Sequence, residues 1–98
     1  MNRLYIKGFL DITKATVLNN KDSIILEFEF YTKRATNRQK IMDVHFCRLY
    51  GEKKIKEFLK IAKNKKTIVL ECEVRPNKSI IDDEVFNSKS FLDVKTFH

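Results

Sequence analysis

The sequence predicts a mostly-β domain of the five-stranded Greek-key OB type, a small barrel with one α-helix between strands 3 and 4. Three observations predict it within 98 residues: five stretches that alternate apolar and polar side chains, one stretch with helical periodicity, and their order β-β-β-α-β-β. Closing such a sheet on itself also removes strand edges that a small β protein would otherwise have to protect. Ninety-eight residues suit one domain, 1–98, with one core. With 43% hydrophobic and 34% charged residues but only two Gly and one Pro, the composition is that of a folding chain, which excludes a disordered or collagen-like class.

The first strand is read at 4–12, where Leu4, Ile6, Leu10 and Ile12 share one face and Tyr5, Lys7, Phe9 and Asp11 the other. Gly8 interrupts it at a place that suits a bulge or a sharp coil. The second strand, 24–31, sets Ile24, Leu26, Phe28 and Phe30 against Ile25, Glu27, Glu29 and Tyr31, and its phenylalanines belong to the core. Residues 32–40, TKRATNRQK, hold Lys33, Arg34, Arg38 and Lys40 without an acid and are expected to form a cationic hairpin loop. The third strand, 41–50, divides into Met42, Val44, Phe46, Arg48, Tyr50 and Ile41, Asp43, His45, Cys47, Leu49; hydrophobicity does not decide which set is buried.

Gly51 ends that strand, and 52–62 follows as a helix burying Ile55, Phe58, Leu59 and Ala62, with a lysine-rich outer face. The fourth strand, 67–74, alternates Ile68, Leu70, Cys72 and Val74 with Val69, Glu71, Glu73 and Arg75, and Pro76 is expected to stop it. A loop over 77–84 then leads to a last extended segment, 85–97, in which Leu92 and Val94 share one parity and Phe91, Lys95 and Phe97 the other.

Twenty Lys and Arg against thirteen Asp and Glu give a formal charge of +7, which favours a polyanionic partner, nucleic acid before membrane. No run approaches the roughly 18 apolar residues of a membrane span, and the N-terminus lacks a signal-peptide pattern, so a cytoplasmic location with reduced cysteines is expected. Catalytic chemistry is not expected: Asp43 and His45 share a strand face without a third partner, and no phosphate-binding glycine loop occurs. Neither a metal nor a cofactor is expected, since Asp82, Asp83 and Glu84 are consecutive rather than alternating and no zinc spacing is present.

Several stretches resemble the bacterial single-stranded-DNA-binding (SSB) family. MNRLYIKGFL is similar to that family's opening strand, DVHFCRLYGEKKIKEFLK to its third strand, aromatic-Gly turn and helix, and KTIVLECEVRPN and VFNSKSFLDVKTF to its last two strands. The resemblance implies a sequence-tolerant single-stranded-DNA-binding protein of replication or recombination, a dimer or tetramer that catalyses nothing. It also implies that Phe46 and Tyr50 lie on the exposed sheet surface. Two departures accompany it: Val44 stands where the family often has a stacking Trp, and no acidic partner-recruiting tail follows Phe97.

Single-strand binding needs aromatic faces for bases and cations along the backbone path. The expected site is therefore Tyr5, Lys7 and Phe9 beside Tyr31, Phe46, Arg48 and Tyr50, with Lys33, Arg34, Arg38 and Lys40 as an arm. Glu27 and Glu29 project from the same side and would repel phosphate. With Trp absent they also support a second reading, an OB-like adaptor of a replication complex that binds protein instead. The Asn-, Lys- and Ile-rich composition suits an AT-rich genome and a compact phage, plasmid or mobile-element version.

Overall fold

The computed structural model describes residues 3–19, 22–35, 40–81 and 84–98, with 35, 40, 76–81 and 84–89 described as backbone alone. Arg38, Asp82 and Asp83 lie outside the described residues, as do the side chains of Lys40 and Glu84. The elements in chain order are β1 (Arg3–Gly8), a 3-10 turn (Ile12–Lys14), β2 (Thr16–Asn19), β3 (Ile24–Ala35), β4 (Lys40–Tyr50), α1 (Glu52–Asn64), β5 (Ile68–Ile81) and β6 (Glu84–Phe97). The strands form one sheet in the order β1-β5-β6-β4-β3-β2, antiparallel except where β4 meets β6 at Cys47↔Leu92 and Arg48↔Asp93.

The architecture is mostly β with one helix between strands and is consistent with an OB-like fold, but it has six strands rather than five. The expected first strand stops at Gly8 because Asp11 redirects the chain. Its carboxylate accepts from the Thr13 amide at 3.0 Å and from the Thr13 hydroxyl at 2.6 Å, capping the 3-10 turn. The additional strand β2 then pairs Thr16↔Glu27 through Asn19↔Ile24. It is four exposed residues at a sheet edge, too short for an alternating pattern to reveal.

The ladder stays open between β1 and β2, yet the end of β1 reaches β3 through an isolated bridge. There Phe9 N–H donates to the Tyr31 carbonyl at 3.0 Å and Tyr31 N–H to the Phe9 carbonyl at 2.8 Å. Gly8 makes this approach possible, since a Cβ at that position would lie 2.0 Å from the Tyr31 carbonyl oxygen.

Two further expectations are corrected. Residues 32–35 continue β3 rather than opening a loop, pairing Thr32↔Asp43 through Ala35↔Lys40. Pro76 does not end β5. It falls at the register shift between Arg75 and Asn77, where a bulge releases the chain from donating the N–H that proline lacks, and pairing resumes from Asn77↔Ser88 to Ile81↔Glu84. The expected loop 77–84 is thereby largely strand. Fourteen residues of β5 at about 3.3 Å each give ~46 Å, and the longest dimension of the molecule is 46 Å.

The core forms where the inward parities of the strands meet α1. Leu26, Phe28 and Phe30 from β3 and Cys47 and Leu49 from β4 are buried, as are Leu70, Cys72, Leu92 and Val94 from β5 and β6. This settles the third predicted strand: Cys47 and Leu49 face inward, so Phe46, Arg48 and Tyr50 face out. Gly51, at φ 102°, turns the chain from β4 into α1, a conformation open to glycine. Ile55 and Phe58 then close the core, the Phe58 ring stacked on Phe28 at 4.8 Å and edge-on to Phe97 at 5.2 Å. Among the described residues no helix is long and apolar enough to cross a membrane.

Candidate nucleic-acid interface

In an antiparallel ladder, directly paired residues project from the same face. The register of β3 and β4 therefore lays out the outer face in rows: Ile25 with Tyr50, Glu27 with Arg48, Glu29 with Phe46, Tyr31 with Val44 and Lys33 with Met42. Phe46 is 40% exposed and Tyr50 37%, and Val44 and Met42 are also exposed, so β4 offers a stripe of apolar surface to solvent. A groove of about 510 Å³ runs over this face, walled by Lys14 and Thr16 on one side and Ser90 and Phe91 on the other, with Glu27, Glu29, Phe46 and Arg48 among its lining residues.

The groove is held in shape by paired charges and rings. The Arg48 guanidinium lies over the Phe91 ring at 4.3 Å while its Nη2 is 3.5 Å from Glu27 Oε1. Beside it, the Tyr31 hydroxyl donates to Glu29 Oε2 at 2.8 Å, a bond that raises the phenol above its ordinary pKa and keeps it protonated. Tyr31 also packs against Phe9, ring centres 5.5 Å apart, and the Lys33 ammonium stands 6.0 Å from the Phe9 centroid.

The expected site residues are thus distributed in three groups. Phe46 and Arg48 line the groove; Phe9, Tyr31 and Lys33 form a second group, joined to the first by the Tyr31–Glu29 bond. Tyr50 ends the row opposite Ile25. Tyr5, 65% exposed, stands apart on β1, where its hydroxyl and Arg3 both engage Glu71, and the Glu71 hydrogen bond raises the Tyr5 pKa. Lys7 is exposed nearby, paired in register with Val69.

The cationic arm needs correction. Arg34 was expected in an acid-free loop, but the extended β3–β4 hairpin brings it 3.2 Å from Asp43. Glu27, read as an open repulsive charge, is matched by Arg48. The groove-wall residues Lys14, Thr16, Ser90 and Phe91 escaped sequence reasoning. Lys14 sits in a segment without periodicity, and Phe91 carried one legible signal, its parity opposite to Leu92 and Val94.

Other polar groups are internally satisfied. Asp93 is buried on the sheet between Lys95 at 2.9 Å and Arg75 at 3.6 Å, and its hydrogen bond raises the Lys95 pKa. His45 Nε2 lies 2.9 Å from the Thr32 hydroxyl. Burial pushes the Cys72 thiol up to about 12 and Cys47 higher still, so neither behaves as a thiolate near neutrality. On α1, Lys53, Lys56, Lys60 and Lys63 are exposed.

A six-stranded OB-like sheet with a core-plugging helix defines the class of fold. Solved structures with 7–15% identity share it. The SSB of Plasmodium falciparum, solved in complex with single-stranded DNA, superposes with a TM-score of 0.72 at 9% identity, over 95% of this chain and 85% of that one. A small single-stranded DNA binding protein from Mycoplasma pneumoniae gives 0.63 at 15% identity, over 100% and 92%. A small single-stranded DNA-binding protein from Streptomyces coelicolor gives 0.54 at 7%, over 100% and 94%. No protein-family model and no curated protein matches the sequence.

Proposed function

We propose that the chain binds single-stranded DNA without overall sequence specificity, in the service of replication or recombination, and catalyses no reaction. The strand lies along the groove over β3, β4 and β6, with bases stacked on Phe46 and Tyr50 and phosphates met by Lys14, Lys7 and Lys33. One observation carries the reading: the exposed Phe46 and the half-buried Phe91 line a groove bordered by the exposed Lys14, on a fold shared with solved single-stranded-DNA-binding proteins. Stacking supplies about 1–3 kcal/mol per base and tolerates any base, while cations supply a salt-dependent background. The exposed apolar side chains of Leu4, Val17, Leu18 and Val74 on β1, β2 and β5 support a homo-oligomer.

Fluorescence anisotropy of the full chain with labelled single-stranded and duplex DNA at several salt concentrations tests the proposal. Single strands are expected to bind more tightly than duplex, with a log-log salt slope of about −0.7 per phosphate neutralised. Equal affinity for duplex, or no binding at low salt, rejects it.

A further inference from the structure

A carboxylate on a surface built for a polyanion opposes binding unless it is neutralised or reads something. Glu27 is neutralised by Arg48. Glu29 is not: its partner is the neutral Tyr31 hydroxyl, and no ion pair involves it among the described residues. It is half-buried, lines the groove, and lies directly opposite Phe46 in the β3–β4 register. Directly opposed side chains on one face have Cβ atoms about 4.5–5.5 Å apart. A base stacked on Phe46 therefore presents an edge to the Glu29 carboxylate.

The Tyr31 bond occupies one of the roughly four lone-pair sites of that carboxylate, so acceptor capacity remains for a ligand. Unpaired bases expose their Watson–Crick edges and differ there in donors. Guanine offers N1–H and the N2 amino group side by side, a pair that matches the two oxygens of a carboxylate. Cytosine and adenine offer one amino group beside a ring-nitrogen acceptor. Thymine offers a single N–H between two carbonyl oxygens, which a carboxylate repels.

Resting on the single-strand reading, we propose that Glu29 is a specificity-determining residue that biases the Phe46 position toward guanine and against thymine. Tyr31 is its positioning residue, fixing the carboxylate through a bond to one oxygen while acceptor sites on both oxygens remain for the base edge. Glu29 then lowers affinity for strands without the matching edge.

The test compares three labelled single strands at fixed salt by anisotropy: all-thymidine, the same strand with isolated deoxyguanosines, and that strand with deoxyinosine in their place, which lacks the N2 amino group. The wild-type chain is expected to prefer the guanine strand over all-thymidine by about fivefold or more, the low end of a bidentate contact, with inosine between them. Glu29→Gln is expected to bind all-thymidine more tightly and to lose the preference. Equal binding of the three strands by the wild type, or a preference unchanged in Glu29→Gln, overturns the role of Glu29 while leaving single-strand binding intact. Absence of binding to all three overturns both. Should Glu29→Gln fail to fold, equal binding of the guanine and inosine strands by the wild type still overturns the proposal without a variant.

Discussion

Phe46 carries the most weight among single residues, because it is both exposed and in the groove, beside Arg48 and opposite Glu29. Truncating it removes a stacking face without opening the core, which β4 builds from Cys47 and Leu49 on its other side. Phe46→Ala is expected to weaken single-strand binding by about 1–3 kcal/mol with an unchanged urea midpoint. A loss of fold instead would return Phe46 to the core. The alternation of residues 41–50 displayed both faces of this strand but not which was buried, since Met42, Val44 and Phe46 are as apolar as Ile41, Cys47 and Leu49. The choice is made by Phe58 and Ile55 of α1, which cover one face and leave the other to solvent. Charge pairing was less legible than parity. Arg48 meets Glu27, and Arg34 meets Asp43, across strands whose register a single sequence does not specify.

At the scale of elements, the inward faces of β3, β5 and β6 and the helix were readable, because long alternating or 3.6-periodic segments leave a strong pattern. Elements governed by one local contact were not. β2 is an exposed edge of four residues, and Pro76 reads as a terminator unless the bulge that accommodates it is known. Gly8 shows the same limit from the other side. Its need is visible only when β1 meets β3, because the constraint is a carbonyl 23 residues away at Tyr31. Gly8→Ala forces that junction apart, and overpacking of this kind costs roughly 1–3 kcal/mol. A lowered urea midpoint with unchanged slope is expected; an unchanged midpoint would mean that the β1–β3 bridge does not contribute to stability.

At the scale of the whole molecule, the titrating groups with raised pKa values among the described residues are Tyr5, Tyr31, Cys47, Cys72 and Lys95. Each holds its proton more tightly folded than unfolded. Above the thiol's ordinary value of 9.0 the unfolded chain therefore releases protons that the native state keeps, and stability falls as pH rises. The urea midpoint is expected to be lower at pH 10 than at pH 7.5, and an equal or higher midpoint would contradict the pairing and burial described for these groups. The net charge of +7 is likewise a property of the whole, since it favours a polyanion without saying where it binds. Exposed lysines on α1 compete for that role with the groove. Location is the central claim, and NMR chemical-shift mapping of the chain with a single-stranded thymidine oligomer tests it most directly. Shifts concentrated at Phe46, Arg48, Tyr50, Phe91 and Lys14 are the expected result; shifts concentrated at Lys53, Lys56, Lys60 and Lys63, with the groove unmoved, would contradict it.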